Sequence, residues 1–224
     1  MSAEPRPDLR HVNTWLFDLD NTLYPVESGF MGEIERRMTD YVERITGLAR
    51  EEAYRLQKQY LAEYGLTLGG LVEHHGVDPA EYHAIFDDVP LEALAENPRL
   101  TAAIARLPGR RLIFTNANDV HARRVLARLG LEALFHDVFH IALAGYVPKP
   151  SPVTFRKMDE AHGIEPAVTA FFEDSERNLK PAAELGMTTV LVGPHAPSST
   201  APFVRYKTDN LAAFLEDALL SEAA

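Results

Sequence analysis

Two patterns follow one another along this chain in an order that leaves few folds open. A short apolar segment, Thr14–Leu19 (TWLFDL), comes first and closes on acids. From about Pro25 to Asn97 the spacing of apolar residues is helical and no convincing strand occurs. After Gly109, strand-like and helix-like stretches alternate to the end. A run as short, apolar and aromatic as the first reads as a strand buried on both faces. Strands that alternate with helices build a parallel sheet covered by helices. The expectation is therefore an α/β core with a parallel sheet, interrupted after its first strand by a helical insert. Residues 1–24 and 98–224 would form the core, and 25–97 the insert.

Inside the insert, Phe30, Ile34, Met38, Tyr41 or Val42, and Ile45 recur every three or four residues and predict a helix within Glu27–Ile45. Arg50–Tyr64 is rich in helix formers. Leu68–His75, Pro79–Phe86 and Leu91–Ala95 are shorter helical pieces between Gly and Pro breaks. Further on, strands are expected at Arg111–Thr115, Val138–Leu143, Ala170–Glu173, Thr188–Val192 and Phe203–Lys207. Helices are expected at Asp119–Leu129, from Ser151-Pro152 to Ala161, at Arg177–Leu185 and at Asp209–Leu220. Gly193–Pro202 reads as a loop, Met1–Arg10 as a loose polar tail, and Ser221–Ala224 as a fraying end.

Composition removes several function classes. Lys and Arg number 22 against 33 Asp and Glu, for a net charge of −11. Nucleic acids and anionic membranes attract positive charge, so neither is an expected partner. A locally positive site for a small anion stays compatible with that balance. The chain has no cysteine, which excludes disulfides, thiolate nucleophiles, zinc–thiolate sites and iron–sulfur clusters. No stretch approaches the roughly 18 apolar residues of a membrane span. The N-terminus lacks the apolar core of a secretory signal, so a cytoplasmic setting is the expectation.

In open parallel sheets, ligands bind at the carboxyl ends of the strands. Four such ends carry chemistry here. Asp18 and Asp20 fall on one side of the first strand's end, where two close carboxylates repel unless a cation holds them. A hard cation such as Mg²⁺ suits oxygen ligands, and an acidic solvated loop is the plain alternative. Thr115-Asn116 offers hydroxyl, amide and backbone N–H groups that suit phosphate oxygens, or else serves the cap of the following helix. Lys149 sits between Pro148 and Pro150, fixed as a point charge or simply placed on the surface. Glu173-Asp174 ends another apolar strand, as a second acidic pair or as a helix cap. The four types complement one another: carboxylates for metal and attack, hydroxyl and amide for phosphate, lysine for charge.

With these residues in place, the chain resembles the haloacid-dehalogenase-like hydrolase superfamily, whose fold is a Rossmann-like core with a cap. Its motif D-x-D-x-T is matched by Asp18-Leu19-Asp20-Asn21-Thr22, its second motif by Thr115-Asn116, its third by Lys149 and its fourth by Glu173-Asp174. The match in order and spacing runs over about Trp15–Val192, and the insert corresponds to a cap. A finer resemblance is to the pyrimidine 5′-nucleotidase group, carried by FDLDNTLYP at Phe17–Pro25, by Thr115-Asn116 followed by His121-Ala122, and by Glu173-Asp174-Ser175 followed by Asn178. The resemblance implies a phosphomonoesterase acting on a small phosphate ester, with a nucleoside 5′-monophosphate expected. Asp18 would be the nucleophile and Asp20 the acid and base. Asp18, the carbonyl of Asp20, and Asp174 would hold Mg²⁺. Thr115, Asn116 and Lys149 would meet the phosphoryl group. Glu173 would support these residues and Thr22 the turn that holds Asp20, with Ser175 and Asn178 as weaker candidates.

The cap would choose the substrate. His74, His75, Tyr24, Ser28, Tyr60 and Tyr64 could reach it or merely pack, His121 and Arg124 could orient the Thr115-Asn116 loop or face solvent, and His195 lies in the Pro-rich loop. Apolar cap residues suit either internal packing or contact between copies, so the oligomeric state is open. A haloacid dehalogenase generally lacks the second carboxylate of the motif, so Asp20 argues against that chemistry. A phosphonate hydrolase of this superfamily needs a cap lysine, and Lys58 is the only one here. A sugar-phosphate phosphatase or a phosphomutase would share the same core. A receiver-like switch would also store phosphate on Asp, but it places adjacent acids after its first strand and carries no long insert.

Overall fold

The computed structural model describes residues 7–220. Among them, β1 (Thr14–Phe17), β2 (Arg110–Phe114), β3 (Asp137–Phe139), β4 (Thr169–Glu173), β5 (Thr188–Val192) and β6 (Tyr206–Thr208) form one sheet. Its order is β3-β2-β1-β4-β5-β6, and every pairing is parallel. The chain steps outward from β1 to β3, then returns to lie on the other side of β1. That reversal opens a crevice at the carboxyl ends of β1 and β4.

Strand alternation sorts the side chains into two cores. Trp15, Phe17, Ile113, Phe172 and Val190 enter the core on one face. Leu16, Leu112, Phe114, Phe171 and Leu191 enter the core on the other. Both faces are covered, which is why these strands are apolar throughout rather than alternating. Phe17 and Phe172 face each other across the β1–β4 register and stack with ring centroids 4.6 Å apart.

Between β1 and β2 run α1 (Phe30–Thr46), α2 (Arg50–Tyr64), α3 (Thr67–His75), α4 (Pro79–Ala84) and α5 (Pro98–Ala105). α1 buries Phe30, Ile34, Tyr41 and Val42, the face its spacing predicts. Gln57 of α2 is buried, and its polar groups tie three helices together. Its side-chain oxygen accepts from the Thr39 hydroxyl at 2.6 Å, and its carbonyl accepts from Thr67 at 3.2 Å. The other helices are α6 (Asp119–Arg128), α7 (Pro152–His162), α8 (Glu176–Leu185) and α9 (Leu211–Leu220). No helix among the described residues is long and apolar enough to cross a membrane.

The return from the insert is pinned to α6. Arg124 donates to the carbonyls of Asp87 (2.6 Å) and Val89 (3.1 Å), and Arg128 to that of Leu91 (3.1 Å). Asn118, just before α6, donates to the carbonyl of His83 at 2.8 Å and to Asp87 Oδ1 at 2.9 Å.

Several expected boundaries shift. Leu91–Ala95 is a turn rather than a helix, and the helix instead forms as α5. Asn97 caps α5 by accepting from the Leu100 N–H at 3.1 Å, with Pro98 in the first turn, so the missed signal was the Asn-Pro pair. The Val138–Leu143 strand is confined to β3, because the chain then coils through turns that close with the Tyr146 N–H on the Ile141 carbonyl. The last strand is Tyr206–Thr208, set by pairing of Tyr206 with Val190. Val26–Ser28 forms a 3-10 turn, and α1 begins only after Gly29, whose φ of 73° suits glycine. The N-terminal segment is not loose where described: Leu9 and Val12 are buried in the core. Residues 1–6 and 221–224, where a loose start and a frayed end were expected, lie outside the described residues. Asn97→Ala removes the α5 cap and is expected to cost about 1 kcal/mol, read as a lower urea midpoint at unchanged slope.

Candidate active site

β1 ends at Phe17, and the next residue, Asp18, continues the ladder by donating its N–H to the Phe172 carbonyl at 2.9 Å. The Asp18 side chain therefore emerges at the crevice beside the end of β4. Lys149 comes to it from the loop before α7. Its ammonium donates to Asp18 Oδ1 (2.7 Å), Glu173 Oε2 (2.7 Å) and the Phe114 carbonyl (2.6 Å). These are all three donors that a lysine has. Lys149 is 1% exposed, so the group is desolvated and its charge rests on these partners. Asn116 fixes the loop by accepting from the Lys149 N–H at 2.8 Å and donating to its carbonyl at 3.3 Å.

Electrostatics follows from burial. One ammonium stands against two buried carboxylates. Desolvation first, and mutual repulsion second, push Asp18 up from the usual carboxylate range. Glu173 is raised as well, by burial above all. Burial alone would lower the Lys149 pKa, but the two carboxylates outweigh it and hold the ammonium charged. Thr22 donates weakly to Asp18 Oδ2 at 3.3 Å, so it supports Asp18 rather than the turn at Asp20. Asp174 lies at the exposed side of this group. A carboxylate oxygen from each of Asp18, Glu173 and Asp174 lies within 4.8 Å of the others.

Asp20 stands apart from the lysine and has its own supports. Tyr24 donates its hydroxyl to Asp20 Oδ1 at 2.6 Å, and His121 Nε2 lies 3.3 Å from the same oxygen. Burial would raise Asp20, yet His121 and the Tyr24 hydroxyl more than offset it and keep its pKa low. His121 itself stacks on Phe30 of α1. Thr115 is buried, and its hydroxyl oxygen accepts from the Ala117 N–H at 3.0 Å.

All the residues singled out at the strand ends thus gather at one sheet edge. Others take different places. His74 and His75 are exposed and pair with the hydroxyls of Tyr64 (2.8 Å) and Tyr60 (3.0 Å). Ser28 accepts from the Phe30 N–H at 3.3 Å at the start of α1. Arg124 serves the pinned connection. His195 is exposed and lines a small cavity with Asn21 and Asp174. Tyr24 and His121 proved to be the supports of Asp20, and their spacing from it carries no pattern that a sequence reading could use. The sequence pattern does not single out His83. It lines a cavity with Asp20, and nothing sets it apart from an ordinary helical histidine.

A doubly wound sheet with a helical insert after its first strand, and acids with a lysine at the reversal, defines an α/β hydrolytic core. The chain belongs to the haloacid dehalogenase-like hydrolase family, whose model matches residues 12–186. It is 28% identical over 203 residues to phosphate metabolism protein 8 of Saccharomyces cerevisiae, covering 84% of this chain and 63% of that one. The chain therefore spans just under two thirds of that relative's length. Solved structures with the same fold include an HAD phosphatase from Thermococcus onnurineus (TM-score 0.63, 19% identity, covering 92% of this chain and 97% of that one). CbbY from Rhodobacter sphaeroides in complex with phosphate matches similarly (TM-score 0.63, 21% identity, 92% and 99%).

Lys149→Met leaves Asp18 and Glu173 buried without their cation. The expected loss is about 3–5 kcal/mol near pH 8, and smaller near pH 5, where the two acids can take up protons. Urea denaturation at both pH values checks the size and the sign.

Proposed function

We propose that this chain is a Mg²⁺-dependent phosphomonoesterase working through an aspartyl-phosphate, with nucleoside 5′-monophosphates, pyrimidine ones preferred, as its substrates. The observation that carries the reading is the meeting of Asp18, Asp20, Lys149 and Asp174 at the carboxyl ends of β1 and β4. The names of the yeast relative and of the Thermococcus neighbour point toward phosphate chemistry. Asp20, with two supports on its oxygen, favours a reaction that needs a second carboxylate and speaks against dehalogenation. The long insert speaks against a phospho-Asp switch module.

The donor set fits a hard divalent cation. Three carboxylates face one ammonium, and Asn21 Oδ1 is buried with no hydrogen-bond partner. An unsatisfied buried oxygen costs about 1–3 kcal/mol, which a cation or its waters would relieve. Both oxygens of Glu173 already accept, from Lys149 and from the Ser175 N–H. Asp18, Asp174 and the carbonyl of Asp20 are therefore the proposed holders. When bound, Mg²⁺ supplies positive charge against the phosphoryl oxygens and the crowded carboxylates.

The chain's own residues then divide the work. An Asp18 oxygen attacks phosphorus as the bond to the leaving oxygen breaks, and Asp20 gives that oxygen a proton. Approach of the phosphate's negative charge raises the affinity of Asp20 for this proton. Water next attacks the aspartyl-phosphate and releases phosphate, while Asp20 takes the water's proton. Lys149 has no donor left, so it acts through charge and by holding Asp18 in place. The Asn116 side chain holds the Lys149 backbone with its oxygen and one N–H, so its second N–H and its backbone N–H are left for phosphate, beside the Thr115 hydroxyl. Residues 25–97 act as a cap that excludes bulk water from the crevice.

Phosphate release from a panel of phosphorylated metabolites tests the reading. A sugar phosphate preferred over nucleotides would overturn the nucleotide assignment alone. Asp18→Asn is expected to abolish turnover without lowering the urea midpoint, and Asp20→Asn to cost roughly 10²–10⁴-fold. Chelation should stop release and added Mg²⁺ restore it. Tyr24→Phe removes a donor that favours the Asp20 carboxylate, so the acid limb of the kcat profile should move to higher pH; an unmoved limb contradicts this role.

A further inference from the structure

A cavity of about 270 Å³ lies between the insert and the core. Asp20, Asn116 and His121 line its core side, so it opens onto the proposed reacting centre. Met31, Ile34, Leu61, Leu68 and Phe86 give the insert side an apolar surface. Its volume lies near the small end of the roughly 300–1,000 Å³ usual for ligand pockets, so it suits a compact group. Lys58 is the only Lys or Arg in its lining, and that charge is already engaged by Glu35. A second negative charge on the bound molecule would therefore find no free counter-charge among the described residues of this cavity.

His83 of α4 lines the same cavity and is 6% exposed. Both of its ring nitrogens are buried without a hydrogen-bond partner. The ring is nevertheless held in place. It stacks on Tyr146 with centroids 5.7 Å apart and meets Tyr82 and Phe86 edge to face. Its carbonyl accepts from Asn118 of the core, two residues beyond Asn116. A polar side chain fixed this firmly and left unsatisfied on both sides costs stability unless something else meets it. Burial and the nearby His121 lower its pKa to about 4, so at neutral pH the ring is uncharged. A neutral imidazole offers one N–H donor and one acceptor.

We infer that His83 is a specificity-determining residue, hydrogen-bonding a compact, uncharged leaving group that carries a polar atom on an otherwise apolar body. The inference rests on the phosphomonoesterase reading and deepens it by naming what the cap selects. Apolar contact with the insert binds such a leaving group generally. His83 then distinguishes one with a hydrogen-bonding atom from one without, because pairing satisfies a nitrogen that is otherwise orphaned.

Three probes separate the possibilities: uridine 5′-monophosphate, ribose 5-phosphate and phenyl phosphate, the last having no hydrogen-bonding atom beyond the ester. In His83→Phe, kcat/KM for the better of the first two should fall at least tenfold more than for phenyl phosphate, mainly through KM. His83→Asn, which keeps a donor and an acceptor, should restore part of that difference, and His83→Leu carries the comparison if the Phe variant does not fold. An equal fall on all three probes, or none, overturns the inference. If the wild type prefers ribose 5-phosphate, the nucleotide assignment fails while the His83 difference is still read on that probe and decides the inference. If the wild type releases phosphate from none of the three, the phosphomonoesterase reading falls and takes this inference with it.

Discussion

The Lys149 ammonium is the interaction on which the rest of this structure depends. It is buried, it uses every donor it has, and its partners come from the ends of three different strands: Asp18 after β1, the Phe114 carbonyl of β2, and Glu173 of β4. A desolvated charge is tolerated only when such partners are held at bonding distance. The parallel register of β2, β1 and β4 meets that demand, with Phe17 opposite Ile113 and Phe172. The register of the sheet and the geometry of the acidic centre are therefore set by the same strand pairings. The stacked aromatic rings beneath hold the strands, and the strands hold the charges.

That coupling explains why so much was legible in the sequence. An apolar strand followed by Asp18 and Asp20, and another followed by Glu173 and Asp174, place acids at one edge as soon as the sheet is parallel. The helical spacing of Phe30, Ile34, Tyr41 and Val42 likewise fixed the buried face of α1. What escaped notice depends on contacts between remote segments. The support of Asp20 by His121 spans 101 residues, and no local pattern encodes it. The brevity of β3 depends on the coil that follows it, where the Ile141 N–H bonds the Ala117 carbonyl across the sheet edge. Leu9 sits among polar neighbours, but together with Val12 it seats that turn in the core, the Val12 N–H closing on the Leu9 carbonyl.

The two aspartates of the first motif occupy opposite electrostatic settings two residues apart. Asp18 shares a crowded, buried group with another acid and is pushed toward protonation. Asp20 faces a tyrosine hydroxyl and a histidine and is kept ionised. Separate surroundings of this kind allow two like side chains to do unlike work. The histidine beside Asp20 also stacks on the first helix of the insert, so the proton-handling residue is framed by both parts of the chain.

The two joints of the insert are unequal. On the way back to the core, two arginines and an asparagine grip the backbone from Asp87 to Leu91 and at His83. On the way out, the chain passes from Tyr24 through Pro25 and a single 3-10 turn to Gly29. The outgoing side is held by rings instead: Tyr24 meets Phe30 edge to face, and Phe30 stacks on His121. The passage into the insert and the support of Asp20 are thus built from one set of side chains, so a substitution at either is felt by both.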